Sequence, residues 1–274
     1  MGEENFDKSD SEFDEEAERE SALAQRRLLI NSWNARAELY KQLFGEYSYV
    51  TPSHYSPPKS EIVEKKPKSD KLNSTDTGDP GDPDSEEHHL AVLAYGPDPL
   101  RPCWTYVTAG LSTPWLQKEP EEVSAFGCEL IIKTAVDAQW PAQILRSMAF
   151  YIFNHAGTIS PGVRIGLNAP IAVNTESKLR NVFIWYADEA PDCWYQLPSG
   201  GFGLFCAVGI TDDELKYAES IQEYGTWCIQ EVLRQTGYGQ ISDPHRDSVM
   251  GRENIGVVLD NVKLFADNFR DGGF

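Results

Sequence analysis

Gly203-Leu204-Phe205-Cys206-Ala207-Val208-Gly209-Ile210 runs directly into Thr211-Asp212-Asp213-Glu214-Leu215. The first part is an apolar run opened by glycine and holding Phe205, Val208 and Ile210, which reads as a β-strand. The second is a capping box: the Thr211 hydroxyl can accept from the Glu214 backbone N–H, and the Glu214 carboxylate can reach back. A strand therefore leads straight into a helix. Outward from here, Trp104 to Ala109, Glu129 to Thr134 and Asn181 to Tyr186 are further strand-like runs between Gly, Pro or acidic turns. Gln139 to His155 places Trp140, Ile144, Leu145, Met148 and Ile152 on one helical face, with Pro141 tolerable in the first turn. Another helix is expected around Gly225 to Gln235. No internal repeat is visible. The expectation is a single α+β domain, an α/β sandwich in which a mixed β-sheet is flanked by helices.

The ends and one internal stretch differ in character. Residues 1–14 are dominated by Glu, Asp, Ser and Asn around isolated Phe6 and Phe13, and read as a disordered acidic tail. From Glu15 the composition favours helix, and Leu28, Leu29, Trp33, Ala37, Tyr40 and Phe44 recur at three- and four-residue steps, ending at Gly45 as a C-cap. The domain is thus expected over residues 15–274. Within it, residues from about 57 to 88 hold Pro57-Pro58, Lys65-Lys66-Pro67-Lys68 and Gly78-Asp79-Pro80-Gly81-Asp82-Pro83 with no apolar period, which reads as a mobile insertion. Loop-closure entropy grows slowly with length, so such an insertion costs little.

The 274 residues carry a net charge of −19, which argues against nucleic acid and anionic membrane surfaces as partners. A charged partner would be basic, although acidity also serves solubility alone. No apolar run approaches the length of a membrane span, and no secretory h-region is present. Cys103, Cys128, Cys193, Cys206 and Cys228 are odd in number with no C-x-x-C spacing, and Cys128 and Cys206 read as core residues. A reducing cytoplasm suits these features.

Catalytic and metal signatures are weak. His88-His89, beside Asp82, has ligand residue types but no scaffold to fix them. Asp243-Pro244-His245-Arg246-Asp247-Ser248 collects Asp, His and Ser, yet there is no G-x-S-x-G elbow, and an Asp-Pro turn with local hydrogen bonds accounts for it better. Ser199-Gly200-Gly201-Phe202-Gly203 lacks the lysine of a phosphate loop and precedes a strand, so it reads as a tight turn. The sequence points to no catalytic residues, no cofactor and no metal, and so not to an enzyme.

Binding has more support. Trp185-Tyr186 and Trp194-Tyr195 are adjacent aromatic pairs, and neighbours on a strand point to opposite faces, so each pair leaves one ring at or near the surface. With Asp188, Glu189 and Asp192 beside them, these rings form a candidate contact patch for another protein. The competing reading is of loop aromatics folded onto the domain edge.

Several short motifs occur in a fixed order: Gly96-Pro97-Asp98-Pro99-Leu100, Trp104 to Ser112, Phe126-Gly127-Cys128-Glu129-Leu130, Trp140-Pro141-Ala142 and Leu204 to Thr211 with Glu214-Leu215. Together they resemble the suppressor of fused domain family, bacterial type, over about residues 30–250 without the insertion. The resemblance implies protein binding. Many bacterial members are thought to act as immunity proteins that bind and block a toxin domain. The alternative it implies is a regulatory or scaffold protein that sequesters a partner through an extended peptide strand. In animal members a Tyr on the long helix contributes to the peptide groove, and its match here is Tyr151. The acidic residue of that pattern has no counterpart in Ser160-Pro161-Gly162-Val163.

Overall fold

The computed structural model describes residues 7–53, 90–156, 159–173, 175–221 and 224–271. In chain order the elements are helix α1 (Asp7–Phe44), strands β1 (Tyr49–Ser53), β2 (Leu90–Tyr95), β3 (Trp104–Ala109) and β4 (Val123–Thr134), and helix α2 (Trp140–Tyr151). Strands β5 (Arg164–Gly166), β6 (Leu179–Tyr186), β7 (Tyr195–Leu197) and β8 (Gly200–Thr211) follow, then helices α3 (Asp212–Ser220), α4 (Gly225–Gln235) and α5 (Ile255–Asp271). The sheet order is β1-β2-β3-β4-β8-β6-β5, with β7 pairing the start of β8. Among the described strands, β4 and β8 pair in parallel and the other pairs are antiparallel. The mixed sheet flanked by helices is the α+β architecture expected.

Strand β8 is buried at every position because both its faces are covered. Phe202, Leu204, Cys206, Val208 and Ile210 share one core with Tyr40 and Phe44 of α1, Ala218 of α3, Ile229 and Leu233 of α4, and Val262 of α5. Phe205 and Ala207 point the other way, into a core with Leu130 and Ile132 of β4 and Trp140, Leu145, Met148 and Ile152 along α2. Fully burying one such side chain is worth about 1.5–3 kcal/mol, so the two-sided strand ties both helical layers to one ladder. The helical face read for α2 is buried at Trp140, Leu145, Met148 and Ile152. After Tyr151 the helix widens into a π-turn, Ile152–Ala156.

Helix α1 departs from its sequence reading in two ways. It begins at Asp7, inside the stretch read as disordered, while residues 1–6 lie outside the described residues. Once a helix exists, each added residue gains a hydrogen bond, so the helix extends. Its inner line also differs: Ala37 is exposed, and the buried positions step Leu28, Ser32, Arg36, Tyr40, Phe44. Arg36 is polar because Glu129 of β4 lies opposite it, fully buried. Glu129 accepts from the Arg36 guanidinium at 3.2 Å, the Gly110 and Ser112 N–H groups at 2.9 Å each, and the Ser112 and Thr108 hydroxyls at 2.7 and 2.6 Å. Each oxygen is satisfied, the condition under which a buried carboxylate is tolerated. Gly45 closes α1 with φ +80, its N–H bonded to the Lys41 carbonyl, as a C-cap requires. The insertion read over about 57–88 lies outside the described residues.

At the start of α3, Glu214 reaches back to the Thr211 N–H at 2.9 Å, while the Thr211 hydroxyl donates to Asp213. Glu214 is buried and also takes a bidentate bond from Arg246, at 2.5 and 2.7 Å. That pair fastens the segment after α4 onto the sheet. Within it, Asp243 accepts from the His245 N–H and Ser248 donates to Asp213, so the Asp-His-Ser cluster is a set of turn and cap bonds.

Candidate functional site

Pro198 and Ser199 turn the chain from β7 into β8, and β8 opens on two glycines because a larger residue does not fit there. Gly200 has φ +143, and a Cβ there would meet the backbone of Val123 and Ser124 at 2.6–2.7 Å. A Cβ on Gly201 would come within 1.8 Å of the Trp194 indole nitrogen, and one on Gly127 would lie 3.6 Å from Cη2 of the same ring. The indole edge thus spans from β8 to β4 over two glycines, and Trp194 stays 47% exposed. Farther along β8, the Phe205 ring occupies the space a Gly203 side chain would need. Tyr186, 41% exposed, packs edge-on against that ring at 6.1 Å.

Their sequence neighbours point inward. Trp185 is partly buried against the opposite core, and Tyr195 is buried there, 6.1 Å from Phe202. The Tyr195 hydroxyl accepts from the Asp192 N–H at 3.4 Å, and burial raises the phenol above its usual range. One ring of each pair faces out and one in; for Trp185-Tyr186 this is the alternation of β6, whereas Trp194 lies on the loop just before β7.

The three acids read beside them are not equivalent. Glu189 is largely buried and holds the Lys133 ammonium with both oxygens at 2.8 Å; Asp188 is exposed and lies 3.6 Å from the same ammonium. Lys133 itself is buried at the end of β4. Burial opposes its charge, but Cys206, Glu189 and Asp188 outweigh it, so its pKa is raised. Glu189 is therefore an internal counter-ion and not a surface acid, a correction to the patch as read. Asp192 is exposed. Gln240, also buried, bonds the Tyr186 carbonyl at 2.6 Å and the Asp188 N–H at 3.1 Å, fixing where the 187–194 loop leaves the sheet.

Tyr151 ends α2 and is 47% exposed. Phe153, two residues on in the π-turn, stacks edge-on at 5.0 Å with Phe126, whose neighbour Gly127 underlies Trp194. The Phe126–Phe153 pair thus packs the π-turn after α2 against β4, one residue from the glycine beneath Trp194. The stretch Ser199 to Gly203, read as a tight turn, is a turn only at its start: Pro198 and Ser199 turn, and Gly200 to Gly203 already run in β8 paired with β7, so the glycine floor and the ring it makes room for were missed from sequence. Among the described residues no group of three or more His, Cys, Asp or Glu could hold a metal ion, and no helix is long and apolar enough to cross a membrane. His88 and His89 lie outside the described residues.

Residues 86–247 match the family model described as suppressor of fused protein, and the chain belongs to that family. It is 26% identical over 144 residues to the suppressor of fused homologs of Homo sapiens and Mus musculus, covering 48% of this chain. It spans only 28% of the length of these curated relatives. The fold is similar to that of Drosophila Suppressor of Fused, with TM-score 0.54 and 21% identity over 66% of this chain and 46% of that one. It is similar to a chain of the Sufu–Fu complex, with TM-score 0.50 and 20% identity over 64% and 80%. A putative homolog from Neisseria gonorrhoeae gives TM-score 0.50 and 12% identity over 83% and 99%.

Proposed function

We propose that this chain is a non-enzymatic protein-binding module of the immunity type, which holds a basic toxin domain and blocks it by steric occlusion. The observation that carries the reading is that Tyr186 and Trp194 are large rings kept half exposed while their neighbours fill the core. Half-exposed Trp and Tyr side chains are the residue types that dominate interface energetics. A net charge of −19 favours a basic partner and a steered encounter. Family membership supports protein binding in general, as does the existence of a Sufu–Fu complex among the relatives. The test is co-purification with the product of the neighbouring gene, together with protection of cells that express that product. Binding with protection is expected; a neighbour that neither binds nor harms cells would overturn the immunity role.

A second reading, regulatory capture of an extended strand, is favoured by the exposure of Tyr151 at the end of α2. Against it, edge strand β1 carries Pro52, which has no N–H to donate, and edge strand β5 has three residues. Tyr151→Ala should weaken a peptide-type partner selectively, whereas Trp194→Ala and Tyr186→Ala should weaken a toxin-type partner.

A further inference from the structure

We propose that Trp194 is the docking point for an arginine of the partner, whose guanidinium stacks on the exposed indole and donates to the carboxylates of Glu121, Glu122 and Asp192. This rests on the protein-binding reading above and specifies what the partner must present. The ring is fixed by its edge against Gly201 and Gly127, so it offers aromatic surface without having to be ordered first. Val123, partly exposed, sits at the same end of β4, where its Cγ1 approaches Gly127. The acids are built into the same corner by the backbone: Glu121 N–H bonds the Ser199 carbonyl, and Gly201 N–H bonds the Glu122 carbonyl, each at 3.0 Å. Asp192 precedes the ring by two residues on the loop that delivers it. All three acids are exposed. Glu189 differs, being neutralised by Lys133. Between Leu116 and Val123 the one cation, Lys118, is outnumbered by Glu119, Glu121 and Glu122. A planar guanidinium both stacks on an aromatic face and bonds carboxylates through a fork of N–H groups; an ammonium does only part of this.

The experiment uses the whole chain, with the Trp194 indole N–H resonance assigned by its loss in Trp194→Phe. A blocked tri-arginine peptide is titrated at low ionic strength, with tri-lysine alongside. A saturable displacement of the Trp194 resonance is expected, with tri-arginine binding more tightly than tri-lysine. Trp194→Ala, or Glu121→Gln with Glu122→Gln, should weaken tri-arginine by about threefold to tenfold, the size of a cation–π contact at a half-exposed ring. Unchanged affinity in either variant, or a Trp194 resonance that does not move, overturns the arginine site and leaves only diffuse attraction to an acidic protein. Trp194→Phe, which keeps a ring, should retain most of the affinity even if Trp194→Ala folds poorly. A toxin-type partner that still binds when the arginine test fails would leave the protein-binding reading in place.

Discussion

Lys133 brings burial and charge together in one side chain, and its two acids decide the balance. Removing one partner of a buried pair leaves a charge without its counter-ion, so Glu189→Gln should cost about 3 kcal/mol, read as a lowered thermal midpoint. An unchanged midpoint would mean that Asp188 alone suffices. Because the folded-state pKa of Lys133 is raised, its contribution is fully present below the ordinary lysine range and is lost as pH rises through the folded value. Alkaline destabilisation should accordingly be smaller in Glu189→Gln than in the parent. The cysteines give a second residue-scale expectation. Cys103, Cys128, Cys206 and Cys228 are buried and Cys193 is exposed; burial pushes the Cys128 thiol up to about 12 and the Cys228 thiol up to about 11. A thiol reagent should modify one cysteine rapidly in the native protein and the rest only after unfolding. Rapid modification of several would show that the core opens.

At the scale of elements, α2 is anchored by Leu145, which is completely buried. Leu145→Ala should cost about 2–5 kcal/mol, and an unchanged unfolding midpoint would mean that the helix is not pinned to the sheet there. What was legible at this scale followed from periodicity. Strand β3 and helix α4 fall on the bounds read for them, and α2 was found from one apolar face. Strand β2 was missed because Leu90 to Tyr95 is uniformly apolar and follows a breaker-rich stretch, so no alternation marks it. Helix α5 was missed because exposed Val257, Leu264 and Phe265 interrupt the face that buries Val262 and Ala266. Arg36 was missed for a different reason: its place in the buried line of α1 depends on Glu129, 93 positions away. For the candidate site, alternation gave one outward ring per pair, but which ring, and that Glu189 is neutralised, depends on register and on Lys133.

For the whole molecule, net charge −19 sets how partners arrive. If binding is steered, association with a basic partner should slow steeply as salt rises while dissociation changes less. An association rate indifferent to salt would assign the charge to solubility alone. The order of assembly is set by a different feature, the parallel pairing of β4 with β8. Ile131 lies opposite Cys206, so residues 75 positions apart must meet before the central ladder can form. The antiparallel neighbours β2 and β3, or β7 and β8, close over much shorter spans. Long closures cost chain entropy before any contact repays it, which slows folding. Refolding is therefore expected to be slow for the chain's size, with early hairpins that hold apolar faces but no central strand between them. Such intermediates should respond to protein concentration through aggregation, and a chaperone that shields them should raise the yield without changing the final stability.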